Sequence, residues 1–449
     1  MFMTPSEIYS AHVPRYTSYP TAPHFHKGVD GRAYGDWLAR LPAQMPLSLY
    51  LHVPFCDTLC WFCACHTTIV NHYGPVKDYA GWLLREIALV AKALADRHPV
   101  SHIHLGGGSP TLLARQDMRR LRDALHTAFD IAAGAEIAIE IDPRGFGPEQ
   151  ADMLAEFGVT RASIGLQDCD PKVQRAINRL QGADELHNTV RLLRERGISR
   201  INLDLVYGLP HQTLTGLEKN LELAYALGSS RMALFGYAHV PFFKKHQALI
   251  PQEALPGVEA RLQMTAFAEG WLTARGYQAI GLDHFALPDD EMAVAARLGI
   301  LRRNFQGYTV DAAPALLGLG ASSISALPQG YVQNHATVAD YRAALANERL
   351  PVAKGIALTP EDRLRRDAIE QVMCYLAVDL GATAQGHGRR EDALDWVLPL
   401  LKPLADCGAV TVKGRMINVA RTQRAAARIL ASLFDAYLGA GAAKHSVSA

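Results

Sequence analysis

Short apolar runs and longer amphipathic stretches take turns along the first two thirds of the chain. The β-rich runs are SLYLHVPF (48–55), HIHL (102–105), EIAIEID (136–142), RASIGLQ (161–167), INLDLVY (201–207), MALFGYAHV (232–240) and QAIGLDHF (278–285). Between them the apolar residues recur at helical spacing. From about Val76 to Ala95, Tyr79, Leu83, Ile87, Val90 and Leu94 fall on one face. Further helices are predicted near 114–129, 148–158, 171–196, 214–227 and 257–275. This alternation predicts βαβ units and a parallel sheet. Right-handed crossovers then give either a barrel or an open doubly wound sheet.

Five of the runs finish in polar residues: Glu140 and Asp142, Gln167 and Asp168, Asp204 and Tyr207, Tyr237 and His239, Asp283 and His284. Such residues cap a following helix or turn in many folds. Five together point to an active face at the C-terminal strand ends. After about Asp340 the pattern becomes mainly helical (359–380, 391–407, 420–438), with a hairpin at 408–419. The tail GAGAAKHSVSA (439–449) reads as disordered.

Composition narrows the classes. The chain has 449 residues, 49% apolar and 20% charged, which excludes global disorder. Lys plus Arg number 45 against 44 Asp plus Glu, so no global basic field points to nucleic acid. No apolar run is long enough for a membrane span, and the N-terminus lacks the pattern of a secretory signal, so a cytoplasmic protein is expected. Of seven cysteines, Cys56, Cys60, Cys63 and Cys65 crowd within ten residues, whereas Cys169, Cys374 and Cys407 are scattered and read as core residues. A disulfide framework would spread its pairs; the crowding predicts a metal or cluster site in a reducing compartment.

The spacing CxxxCxxC puts three thiolates on one tight loop after the first strand. Soft thiolate ligands select zinc, Cu(I) or iron–sulfur clusters. Cys65 or His66 could complete a zinc site, but no second CxxC is present. A cluster held by three cysteines would keep one iron open, shielded by Trp61 and Phe62. After the second strand comes GGGSPT (106–111). Its glycines allow close backbone approach and are expected to offer unencumbered N–H and C=O groups to a ligand.

These motifs together resemble the radical S-adenosylmethionine (SAM) superfamily. PRYTSYPT (14–21), YLHVPFC, the extra Cys65, IEIDPR, LDLVYGLP, GYAHVP, GLDHFALPDDE and RNFQGYT narrow the resemblance to the oxygen-independent coproporphyrinogen III oxidase family. The resemblance implies an N-terminal extension (1–45) closing over the site, a partial (β/α)6 barrel (46–340) and a smaller, mainly helical C-terminal domain (341–449). It implies a [4Fe–4S] cluster on Cys56, Cys60 and Cys63, with Cys65 not a ligand, and two SAM molecules. Tyr50, Gly107, Glu140 and Ile324 are expected at the cluster-bound SAM. Phe62, Gly108, Ser109, Gln167, Arg179, Asp204 and Ala238 are expected at the second. Ser109 stands where the motif usually has Thr, which keeps the hydroxyl.

The implied reaction converts two propionates of coproporphyrinogen III to vinyl groups, giving protoporphyrinogen IX. A 5′-deoxyadenosyl radical takes a β-hydrogen, and CO₂ and one electron are lost. Arg15 and Arg144 are candidates for the substrate carboxylates, with Tyr16 and Tyr19 closing the site. A flavodoxin- or ferredoxin-type electron donor and a monomer are expected. The rival readings are a haem-binding chaperone of the same family, a radical SAM enzyme acting on another tetrapyrrole, and a zinc-stabilised binding module.

Overall fold

The computed structural model describes residues 11–439; the final ten residues of the predicted tail lie outside them. Its frame is a 12-stranded sheet. Parallel strands form its centre: β1 (Leu47–Val53), β2 (Pro99–Gly107), β3 (Asp130–Ile141), β4 (Arg161–Gln167), β5 (Arg200–Tyr207), β6 (Arg231–Gly236) and β7 (Ala315–Leu319). They lie in the order β7-β1-β2-β3-β4-β5-β6. From β1 to β6 chain order and neighbour order coincide, so each crossover advances one strand in the same direction. A doubly wound sheet would reverse direction at a switch point. The winding is that of a partial barrel of six βα units, as the resemblance implied.

The crossovers are helical, and their apolar faces seat them. In Gly74–Ala93, Val76, Tyr79, Leu83, Ile87 and Val90 are all buried, which is the face predicted from spacing. Strand interiors alternate. Leu47, Leu49, Leu51 and Val53 of β1 are fully buried in the core under the helices. Ser48, Tyr50 and His52 share the opposite face.

Several expected elements differ. The helix expected over 171–196 is two helices, Pro171–Ala176 and Ala183–Glu195. Between them Asn178 adopts φ +53° and its side chain donates to the Leu59 carbonyl at 2.8 Å. The run 278–285 is not a parallel strand. Gly281, at φ +55°, turns it into Gln278–Ile280 and His284–Ala286, which pair antiparallel at the end of the sheet. Pro399 interrupts the expected helix 391–407, and Leu376 at φ +57° ends Pro360–Tyr375. Beyond β7 an antiparallel meander, Ile324–Leu327, Gly330–Asn334 and Val352–Ala357, extends the large sheet past residue 340.

A second core forms under Pro360–Tyr375 and Ala426–Leu433, beside a three-stranded sheet that contains the predicted hairpin. Tyr16 and Tyr19, near the other end of the chain, are buried in it. The Tyr16 hydroxyl donates to Asp435 at 3.0 Å, the Tyr19 hydroxyl accepts from the Ala436 N–H at 3.0 Å, and Arg428 donates to the Val13 and Pro14 carbonyls. No helix among the described residues is long and apolar enough to cross a membrane.

Candidate active site

A cavity of about 420 Å³ is lined by side chains from all seven parallel strands. Most of its polar strand groups come from the inward faces of β1–β5, whereas β6 and β7 contribute Phe235 and Leu316. Ser48, His102 and His104, Glu136 and Glu140, Ser163, Asn202 and Asp204 sit at alternate positions along their strands.

The cysteine loop hangs beside this cavity. Its base is closed by a short parallel pair, Phe55 opposite Thr68 and Cys56 opposite Ile69. Its far side is latched by backbone acceptors. Lys244 donates to the Cys65 carbonyl at 2.7 Å, Gln247 to that of Phe62 at 3.0 Å, and Trp61 N–H donates to Ile177 at 2.8 Å. The loop is therefore held on three sides before any ligand binds. Burial pushes the Cys56 thiol up to about 12, and the nearness of Cys63 and Cys60 adds to the shift. Cys60 is buried and Cys56 and Cys63 are half-buried, and three soft sulfur donors held this close suit a cationic group among them. Among the described residues no three Cys, His, Asp or Glu side chains converge on one ion-sized point. Three soft sulfur donors on one tight loop fit an iron–sulfur cluster.

Donors also face the sulfurs. Arg144 Nη2 lies 3.5 Å from Cys60 Sγ, Arg179 Nη1 lies 3.6 Å from the same atom, and Ser109 Oγ lies 3.8 Å from Cys56 Sγ. Asp142 anchors both guanidinium groups, at 2.6 Å from Arg144 and 3.0 Å from Arg179. Burial alone would raise the Asp142 carboxyl; the Arg144 hydrogen bonds and the Arg179 charge hold it below its usual range. All five Arg179 donors are engaged, by Gln181, Asp142, Cys60 and the Gly165 carbonyl. Arg179, expected at the second SAM, here braces the cysteine loop.

The glycine turn differs from its expected role. The Gly107 N–H donates to Glu140 at 3.0 Å, Gly108 N–H to Val53 at 2.9 Å and Ser109 N–H to Phe55 at 2.7 Å, so none of these donors is open. The glycines are there for closeness. A Cβ at Gly106 would strike the Glu140 carboxylate, one at Gly107 the His52 ring, and one at Gly108 the Phe55 backbone. Gly107 also adopts φ +108°.

Glu140 faces the cavity. His104 Nε2 lies 3.2 Å from its Oε1. Burial would raise this carboxyl, but His104 and the Gly107 N–H hold it below the usual range. Beside it, His52 Nε2 lies 3.0 Å from the His66 carbonyl, which only accepts, so Nε2 carries the proton. Burial lowers the His52 pKa and keeps the ring neutral, so Nδ1 accepts from the Tyr50 hydroxyl at 3.0 Å. Gly318 pairs with Tyr50 across β7 and packs against the Ile324 backbone, which puts Ile324 on the same side of the site.

Phe62, Cys65, Glu140, Gln167, Asp204 and Ala238 line the cavity together with Arg15. Asp204 accepts from Ser163 and Asn202, each at 2.7 Å, and burial raises its carboxyl. Cys56, Cys60, Cys63, Gly107, Gly108 and Ser109 form the adjoining loop and turn. His52 and His104 were missed as site residues, and Asp142 was named only as a polar strand end. The signal for them was present: each falls two residues from a named residue or another histidine on the inward face. Of the scattered cysteines, Cys374 is buried, whereas Cys169 and Cys407 are only partly so.

Residues 50–224 match the Radical SAM superfamily. The chain is 48% identical over 434 residues to the oxygen-independent coproporphyrinogen III oxidase of Bradyrhizobium diazoefficiens, covering 97% of this chain and 96% of that protein. It is 43% identical over 431 residues to the protein of that name from Paracoccus denitrificans, covering 96% and 95%. A solved structure, the coproporphyrinogen III oxidase of Escherichia coli, described as a radical SAM enzyme, superposes with a TM-score of 0.89 at 37% identity, over 95% of this chain and all of that one.

Proposed function

From a chain that belongs to the oxygen-independent coproporphyrinogen III oxidase family of the radical SAM superfamily, we infer an oxidoreductase of porphyrin and haem biosynthesis. It decarboxylates two propionates of coproporphyrinogen III to vinyl groups. The observation that carries this reading is the placing of three cysteines on one loop beside a strand-lined cavity that Glu140 faces, with the glycine turn bonded to Glu140.

Cys56, Cys60 and Cys63 would hold a [4Fe–4S] cluster. Glu140, Tyr50, Gly107 and Ile324 would hold the SAM bound to it. A second SAM would meet Phe62, Gly108, Ser109, Gln167, Asp204 and Ala238, with Arg179 acting through the cysteine loop. When bound, this pair of groups supplies one-electron cleavage of the sulfonium and removal of a hydrogen atom from an unactivated carbon.

The chain's own part is binding, orientation and shielding. Glu140 is ionised at neutral pH and has acceptor capacity left toward the cavity, suited to an ammonium group. The neutral His52 fixes the Tyr50 hydroxyl, so that ring stands as one wall. Asp142 anchors Arg144 and Arg179 but offsets only one of their two charges, and their N–H groups face the Cys60 sulfur; such bonds stabilise a thiolate and a reduced cluster. Tyr16 and Tyr19 anchor the extension, and with it Arg15, over the cavity mouth. Residues 1–45, 46–340 and 341–449 are read as extension, barrel and C-terminal domain, with the strand Val352–Ala357 tying the last to the large sheet and its own core starting in Pro360–Tyr375. The reading includes a flavodoxin- or ferredoxin-type donor, a monomer and a cytoplasmic location, the last supported by seven free thiols.

The test is an anaerobic assay of the reconstituted, reduced protein with SAM and coproporphyrinogen III, read by mass spectrometry. Protoporphyrinogen IX with methionine and 5′-deoxyadenosine is the expected result. SAM cleavage with the tetrapyrrole unchanged would remove the substrate assignment. No cleavage by a protein with its cluster intact would favour a haem-binding chaperone.

A further inference from the structure

A second cavity, of about 430 Å³, opens beside the first. Arg15 and Gly236 line both. The second is walled by six arginines: Arg15, Arg261, Arg303, Arg421, Arg424 and Arg428. They come from the extension, the barrel and the C-terminal helices. Two carboxylates share the wall with the six guanidinium groups, and Arg15 and Arg303 both act on Asp283. Glu269 binds Arg424 at 3.1 Å, and Asp283 binds His284 at 2.7 Å. The wall thus carries a clear excess of positive charge.

That excess is unfavourable in the cavity as it stands. Burial lowers the Arg428 pKa to about 9, and the charges of Arg15 and Arg303 are on the same side of the balance. Burial likewise lowers those of Arg15 and Arg261. Arg15 presents accessible surface although protein rings it, because that surface faces the two cavities. Aromatic faces hold the other guanidinium groups in place. Arg261 lies over Tyr207 at 5.4 Å and Arg303 over Tyr308 at 4.4 Å. Six guanidinium groups, two of them stacked on aromatic rings, around an open volume that only two carboxylates share form a receptor for carboxylates.

We propose that this cavity is the carboxylate-binding compartment of the substrate site, holding the propionates that are not reacting, while Arg15 at the shared wall orients the one that is. The proposal rests on the reading above that the substrate is coproporphyrinogen III. Its ring would straddle the boundary at Gly236, where the backbone carbonyl accepts from Arg15 at 2.7 Å. A substrate with four carboxylates gains from such a wall; a ring with fewer gains less. The compartment would therefore select by carboxylate number and leave the chemistry to the other cavity.

The test titrates the reconstituted holoenzyme with two unreactive, fluorescent rings. Coproporphyrin III carries four carboxylates and mesoporphyrin IX two. The wild type is expected to bind the first at least about tenfold more tightly. Arg261→Gln and Arg303→Gln are each expected to reduce that preference about tenfold, and Arg261→Lys to restore part of it. Arg303 also binds the extension backbone, so the Arg261 variants and rim Arg421→Gln carry the test should Arg303→Gln misfold. In turnover, KM for coproporphyrinogen III rises more than kcat falls. Equal binding of the two rings by the wild type, an undiminished preference in folded variants, or a lowered kcat at unchanged KM each overturns the proposal. If wild-type turnover leaves coproporphyrinogen III unchanged, the substrate reading fails, while the titration still decides whether the cavity binds carboxylates.

Discussion

Replacing Glu140 by Gln tests the site at its electrostatic centre. The carboxylate has about four acceptor positions. Two are occupied, by the Gly107 N–H at 3.0 Å and by His104 at 3.2 Å. The side chain remains 40% exposed although protein surrounds it, so the remaining acceptor capacity looks into the cavity. A glutamine oxygen can still accept from Gly107, so the fold should hold. What disappears is the charge offered to a ligand ammonium. Hydrogen bonds to charged groups contribute about 1.5–3 kcal/mol, which corresponds to roughly a tenfold to hundredfold loss of SAM affinity. Equilibrium binding of SAM to the reconstituted protein measures it directly. Wild-type affinity should also be flat with pH from neutral to about 5, because the Glu140 pKa lies below the ordinary carboxylate range. An E140Q dissociation constant within about twofold of wild type would refute the reasoning, as would a wild-type affinity that begins to fall near pH 6.

Cys56→Ser, Cys60→Ser and Cys63→Ser should each lose iron and visible absorbance after reconstitution, whereas Cys65→Ser should keep both, since Cys65 lines the cavity wall; iron and sulfide analysis decides. Gly108→Ala sets a methyl against the Phe55 backbone and should lower stability by about 1–3 kcal/mol in denaturant melts, with the midpoint reporting it. Glu86 is buried beneath the sheet, and burial pushes its carboxyl up to about 7 despite hydrogen bonds from Tyr341, Gly320 and Asn334. A raised acid pKa favours the folded state below the unfolded value and loses that contribution as pH climbs to about 7. Stability should decline across that window by on the order of 2–3 kcal/mol, and Glu86→Gln should flatten the decline in melts taken from pH 5 to 8.

Much of this architecture is written in local pattern. The alternation of strands and helices followed from apolar spacing, because crossover helices bury one stripe and strands one face, whereas the count of six units came from the family resemblance. The polar inner face was legible too: Tyr50 and His52, or His102 and His104, alternate with leucine and isoleucine. What escaped were features set by distant partners. The break at Asn178 depends on the carbonyl of Leu59, and the turn at Gly281 is tied to Tyr308, whose hydroxyl accepts from the Leu282 N–H at 3.0 Å. The meander after β7 is made of strands of four to six residues, too short to show a period. The glycine turn was read as a set of open donors because sequence shows which residues lack a Cβ but not which acceptors lie opposite. The arginine wall was invisible for the same reason, since its members lie as far apart as Arg15 and Arg428.

The stitching of the extension to the last helix also orders events during synthesis. Val13 and Arg428 are 415 residues apart along the chain. At about 5–20 residues per second, a ribosome needs roughly 20–80 s to deliver the second after the first. During that interval the barrel strands and the cysteine loop are made, while Tyr16 and Tyr19 still lack the C-terminal core they enter. The cysteine loop is thus synthesised well before the C-terminal core that fixes the extension, so the extension is among the last parts of the molecule to be locked in place.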